Sequence, residues 1–104
     1  MRQKIVVQVD QELKDLIPTY LTNRKVELEE LRKFCAARDS KSIHAITHKI
    51  KGNAAAYGFV TLGTVAVEIE LALKSDQWEM VTKKLNEIEH YLAHLKIQYI
   101  EVKE

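Results

Sequence analysis

His48 is followed by Lys51 three residues on, Gly52 four residues on, Asn53 next to it, and Gly58 ten residues on. An imidazole is a nucleophile at neutral pH, and an ammonium one helical turn away can neutralise an anion bound to it. Between Asp39 and Glu68 there is no acidic residue, whereas Lys41, Lys49 and Lys51 all fall in that interval. One lysine about 4 Å from a phosphate charge contributes up to ~4 kcal/mol near a protein surface, less once salt screens it. Gly52 costs a helix interior about 1 kcal/mol relative to alanine. That cost makes sense where another surface must approach the backbone beside the ring. Such a patch suits an imidazole that carries a phosphoryl group. On these features alone, a spectator histidine on a solvated face is an equal reading.

The direction of the ring follows from the element that carries it. Asp39 or Ser40 can cap a helix, and Ile43, Ile46, Ile50, Ala54 and Tyr57 form its apolar face up to a stop at Gly58. At 100° per residue, His48 points away from that face, so a buried core histidine is not expected. Lys41, His44, Lys51, Gly52 and Ala55 share its outward side.

Three more helices are expected around this one. Pro18 to about Arg38 carries Leu21, Leu28, Leu31 and Cys35 at helical spacing, with Arg24 in the one gap and Phe34 widening the stripe. Leu62, Ala66, Ile69 and Leu73 define the next helix after the histidine. Asp76 with Glu79 reads as a capping box for the last helix. There Trp78, Val81, Leu85, Ile88, Leu92, Leu95, Tyr99 and Val102 recur at steps of three and four. Residues 1–9 are expected as an extended lead-in lying on the bundle, and "QELKDLI" as a short helix capped by Asp10. The fold expected is all-α: an up-down antiparallel four-helix bundle with a short extra N-terminal helix.

Composition restricts the alternatives. The chain has 104 residues, which suits a single domain spanning 1–104, with 46% hydrophobic and 30% charged residues. Three glycines and one proline are too few for a turn-rich β protein. A net charge of +1 gives no global field towards nucleic acid or a membrane surface. No apolar run is long enough to span a bilayer, and the N-terminal segment lacks a signal peptide's pattern. The single cysteine, Cys35, has no internal disulfide partner and fits a reduced, cytoplasmic setting.

With His48, Lys51, Gly52 and Gly58 in these places, the chain resembles the histidine-containing phosphotransfer (HPt) family of two-component phosphorelays. The motif is His-x-x-Lys-Gly with a further glycine ten residues after the histidine, and the resemblance covers nearly the whole chain. It implies a relay intermediate without kinase activity. His48 would accept a phosphoryl group from an aspartyl phosphate on a response-regulator receiver domain and pass it to another. The resemblance also implies a hybrid sensor histidine kinase as a further partner. Lys51 would neutralise phosphate charge, Gly52 would permit close docking, Gly58 would end the helix, and Asn53 would help hold phosphoryl oxygens. No cofactor is implied in this chain, Mg2+ being expected on the partner receiver. Met1 and the complete bundle suggest a free-standing protein, and a monomer is expected.

Glu70 enters by geometry. If Gly58–Phe59 is the hairpin tip, His48 and Glu70 are nearly equidistant from it, so they lie level on adjacent antiparallel helices. A carboxylate there can accept from Nδ1–H and leave Nε2 free as nucleophile. A solvated surface glutamate is the alternative.

Two rival functions remain. A non-phosphorylated interaction module would share the fold, but His48 and Lys51 are both present. A metal-binding bundle is suggested by two His-x3-His pairs, His44/His48 and His90/His94. Glu87 with His90 matches only half of an interior di-iron arrangement, and His90 and His94 lie off the apolar seam. A surface site is the remaining metal possibility, and no metal ligands are assigned.

Overall fold

The computed structural model describes residues 4–102; residues 1–3 of the expected lead-in lie outside the described residues. Four helices dominate: α1 (Ile17–Ala36), α2 (Ser40–Asn53), α3 (Val60–Lys74) and α4 (Trp78–Ala93). Each packs on its sequence neighbour, and α1 also closes on α4. Pro18 stands in the first turn of α1, where its missing N–H breaks no helical hydrogen bond. Asp39 caps α2, its carboxylate accepting from the Ser42 N–H at 3.1 Å and the Ser42 hydroxyl at 2.7 Å.

The core takes Ile17 and Leu31 from α1, Ile43 from α2, Leu62 and Ile69 from α3, and Leu85 from α4, all nearly sealed from solvent. Phe59, at the link between α2 and α3, is also fully buried. The inner stripe of α2 differs from the expected one in a single place. Thr47 is wholly buried while Ile46 is half-exposed. A buried threonine is tolerated because its hydroxyl donates to the Ile43 carbonyl at 3.1 Å, one turn back.

The all-α expectation is corrected at both ends of the chain. Ile5–Asp10 is a strand, β1, and Leu95–Ile100 is a strand, β2, and the two pair in parallel. The expected N-terminal helix is reduced to a single 3-10 turn over Gln11–Leu13, with Asp10 accepting from the Glu12 N–H. The lead-in therefore does more than lie on the bundle: it pairs with the far end of its own chain. Ile5, Val7 and Val9 face inward opposite Leu95, Ile97 and Tyr99, while Gln8 and Gln98 meet on the outer side. The last helix ends at Ala93 rather than running to Val102, and the His94 carbonyl accepts from the Ile5 N–H at 2.8 Å. Leu95 and Tyr99, four apart, fit a helical face, but Leu95, Ile97 and Tyr99 also fit the two-residue repeat of a strand. Pairing with β1 decides between them.

The expected capping box at Asp76 is replaced as well. Asp76 takes a left-handed conformation with φ 52°, and Gln77 occupies the cap without a side-chain hydrogen bond. α2 stops at Asn53, and a 3-10 turn over Ala55–Tyr57 continues it to Gly58. Gly58 adopts φ 94°, and a Cβ there would lie 3.0 Å from the Gln8 carbonyl oxygen of β1. The glycine is thus required both by backbone conformation and by the strand lying against it.

Candidate functional site

The site is built on α2 and completed by α3. Asp39 fixes where α2 begins, and the buried Ile43, Thr47 and Ile50 fix its rotation. That rotation puts His44 and His48 on the open side, one turn apart, with ring centroids 5.6 Å apart. The His48 side chain is 66% exposed. The ring is therefore open to solvent, as its place two residues from Ile46 and Ile50 requires.

Glu70 reaches across from α3. It is buried, not a solvated surface residue, with 9% of its surface exposed. Its Oε2 accepts from the Lys51 ammonium at 3.1 Å. Its Oε1 has no hydrogen-bond partner and lies 3.8 Å from His48 Nδ1 and 3.9 Å from His44 Nε2. At 3.8 Å the carboxylate and Nδ1 are close enough to pair by charge but are not hydrogen-bonded. Contacts of this kind often tighten only in the reacting complex.

The acid-free interval of the sequence is not acid-free in space. Glu70 sits against Lys51, and Glu27 of α1 lies 3.5 Å from the Lys49 ammonium. Sequence distance along one helix says nothing of what its neighbours supply. Lys51 spends one of its three N–H donors on Glu70, leaving two for an incoming anion. Lys41 and Lys74 line a shallow groove that His44 and Glu70 share.

Gly52 faces open space, and a Cβ built on it would meet nothing within 4 Å. Nothing inside the protein demands a glycine there. Ala55 and Ala56 beside it are exposed. Asn53 is turned to another side of α2, where its Oδ1 accepts from the Tyr20 hydroxyl at 2.8 Å. The structure thus brings His48, Lys51 and Glu70 together, leaves Gly52 on the same open face, and engages Asn53 with α1. Gly58 belongs to the turn beneath β1.

Two features escaped the sequence reading. Tyr20 holds the end of α2 through Asn53 and stacks on Tyr57 and Phe59, with centroids 4.3 and 5.4 Å away. His44 shares the Glu70 carboxylate with His48. For His44 a signal existed, since it stands four residues before His48; for Tyr20 none did, because the contact joins two helices.

Comparisons with curated proteins and with solved structures return no match. A family model does match, that of the Hpt domain, over residues 8–98. The matched span takes in all four helices, the exposed histidine, half of β1 and most of β2, and the chain belongs to the Hpt domain family.

Proposed function

We propose that this protein is a phosphorelay intermediate whose phosphoacceptor is His48, taking a phosphoryl group from one receiver domain and giving it to another. Hpt domains are phosphotransfer modules of two-component signalling, not kinases, and they act with receiver domains and kinases. The observation that carries the assignment to His48 is its exposed ring, with Nδ1 facing a buried carboxylate and Lys51 one turn on. The up-down, antiparallel helix order belongs to the same reading, supported by the short links and by His48 lying level with Glu70.

In the transfer, the Nε2 lone pair attacks phosphorus. The P–N bond forms as the P–O bond to the receiver's aspartate breaks, and the departing electron pair stays on that carboxylate. Nδ1 keeps its proton, so the phosphorylated ring carries positive charge beside Glu70. A pair of unit charges about 4 Å apart interacts by about 1 kcal/mol in water and about 4 kcal/mol at a protein surface. Lys51 turns its free donors to the phosphoryl oxygens, and the bare backbone at Gly52 lets the receiver close. Mg2+ belongs to the receiver's acidic pocket. Ala55 and Ala56 offer small side chains to a transient contact of modest area. Asn53 supports the site by anchoring α2 to Tyr20. No helix among the described residues is long and apolar enough to cross a membrane; a cytoplasmic monomer completes this reading.

The test is transfer of labelled phosphoryl from a phosphorylated receiver. His48→Gln should abolish an acid-labile, base-stable label while His44→Gln retains it. The reverse result would move the acceptor to His44. Absence of label with every receiver of the source organism would favour a pure interaction module.

A further inference from the structure

The Glu70 Oε1 atom is the one fully buried side-chain oxygen or nitrogen without a partner among the described residues. Leaving such an atom unsatisfied costs roughly 1–3 kcal/mol, more for a charged group. Lys51 holds the other oxygen, Oε2, and so turns Oε1 towards two imidazoles. One donor atom from each of His44, His48 and Glu70 lies within 4.8 Å of the others.

We infer that His44, His48 and Glu70 form a three-donor site for a divalent transition-metal ion of zinc's class, and that filling it takes His48 out of the relay. Two imidazoles and one carboxylate suit such ions rather than Mg2+ or Ca2+, which prefer oxygen. Bonds of about 2.0–2.2 Å in tetrahedral geometry bring donors to roughly 3.4 Å apart. The two imidazole nitrogens lie 3.8 and 3.9 Å from the carboxylate and all three donors lie within 4.8 Å of one another, a spread that side-chain rotation can close. Both imidazole side chains have that freedom, being 55% and 66% exposed. The Lys51 hydrogen bond fixes the carboxylate from behind, as supporting groups do at metal sites. The other histidine pair lacks this arrangement: His90 and His94 lie within one helix end, with His94 Nδ1 taken up by the His90 carbonyl at 2.8 Å.

The consequence for the relay rests on the assignment of His48 as phosphoacceptor. A metal bound at Nδ1 displaces the ring's proton to Nε2. The ring keeps one proton, but the lone pair that would attack phosphorus is no longer there. By linkage, a phosphorylated His48, with Nδ1 protonated, binds the metal less well.

Two measurements test this separately. The first is calorimetric titration of the untagged protein with Zn2+, with circular dichroism of each variant as the check on folding. One equivalent should bind, weakened at least tenfold by His44→Gln and by Glu70→Gln, and unaffected by the double change His90→Gln, His94→Gln. No stoichiometric binding, or binding that survives loss of His44 and Glu70, overturns the site. The second is phosphoryl transfer with and without stoichiometric Zn2+. Zinc should block labelling of the wild type but not of His44→Gln, which keeps His48. Equal inhibition of both would place zinc on the receiver, and no inhibition of the wild type would remove the switch. No label even without zinc would sink the relay reading and the switch with it, while the site stands or falls by calorimetry.

Discussion

At the residue scale, the site depends on a division of labour around one imidazole. Glu70 is buried, bonded through one oxygen to Lys51 and placed through the other near Nδ1. Glu70→Ala should slow phosphorylation of His48 about tenfold, the worth of one oriented charged contact near 1.4 kcal/mol, with the bundle still folded. Rapid-quench transfer kinetics with circular dichroism on the same variant checks both halves, and unchanged kinetics would remove Glu70 from the mechanism. Gly52 makes the opposite kind of prediction. Because a Cβ there meets nothing, Gly52→Ala should raise helix stability by up to about 1 kcal/mol. Gly52→Gln, also a better helix former than glycine, should not lower the thermal midpoint yet should slow transfer, since its bulk would intrude on a docked receiver. Both residues were visible in the sequence: Gly52 as an unexplained cost in a helix, Glu70 by counting forward from the Gly58–Phe59 turn as far as His48 lies before it. What could not be seen was that Glu70 is buried, because burial depends on the helix packed over it.

At the scale of elements, α1 carries a feature the sequence showed only as a gap in an apolar stripe. Arg24 and Glu27 are both buried, joined by a 2.6 Å hydrogen bond, with the Arg24 guanidinium over the Tyr20 ring at 4.4 Å. Glu27 also lies near Lys49 of α2, so the pair ties α1 to the helix that carries the site. Glu27→Ala should cost about 3 kcal/mol, because removing one partner strands a buried charge, and urea unfolding measures it. The α1 stripe, the α2 cap at Asp39 and the α3 face were all legible in the sequence, since each is set by local spacing or a local hydrogen bond. The expected cap at Asp76 was not realised: the chain turns there through a left-handed residue and begins α4 one residue later.

For the whole molecule, the two chain ends are joined by the parallel β1–β2 pair, with the four helices as the crossover between them. Truncation after His94 removes β2 and uncovers Val9, which is 1% exposed. The loss of a few half-buried apolar side chains should lower stability by about 2 kcal/mol in urea while leaving His48 able to accept label. Alkaline pH should also weaken the fold. Burial pushes the Tyr91 phenol up from 10.0 to about 12, and burial raises Tyr20 as well. Between pH 10 and 12 the unfolded chain has lost phenolic protons that the folded chain retains. The stability this contributes is intact below pH 10 and is lost as pH rises through the folded-state value. Tyr91→Phe should flatten that alkaline decline in thermal unfolding.

The sequence by itself determined the four helices, the outward aim of His48 and its motif partners Lys51 and Gly52, because helical periodicity and capping act over a few residues. Tertiary structure alone decided the sheet, the burial of Thr47, Arg24 and Glu27, and the sharing of one Glu70 carboxylate between two imidazoles and a lysine. Leu95 and Tyr99 suit a helix face as well as a strand, and nothing nearby breaks the tie. β1, some ninety residues earlier in the chain, does so. An electrostatic neighbourhood is likewise a property of space: the interval around His48 contains no acid in sequence, and the adjacent helices supply two.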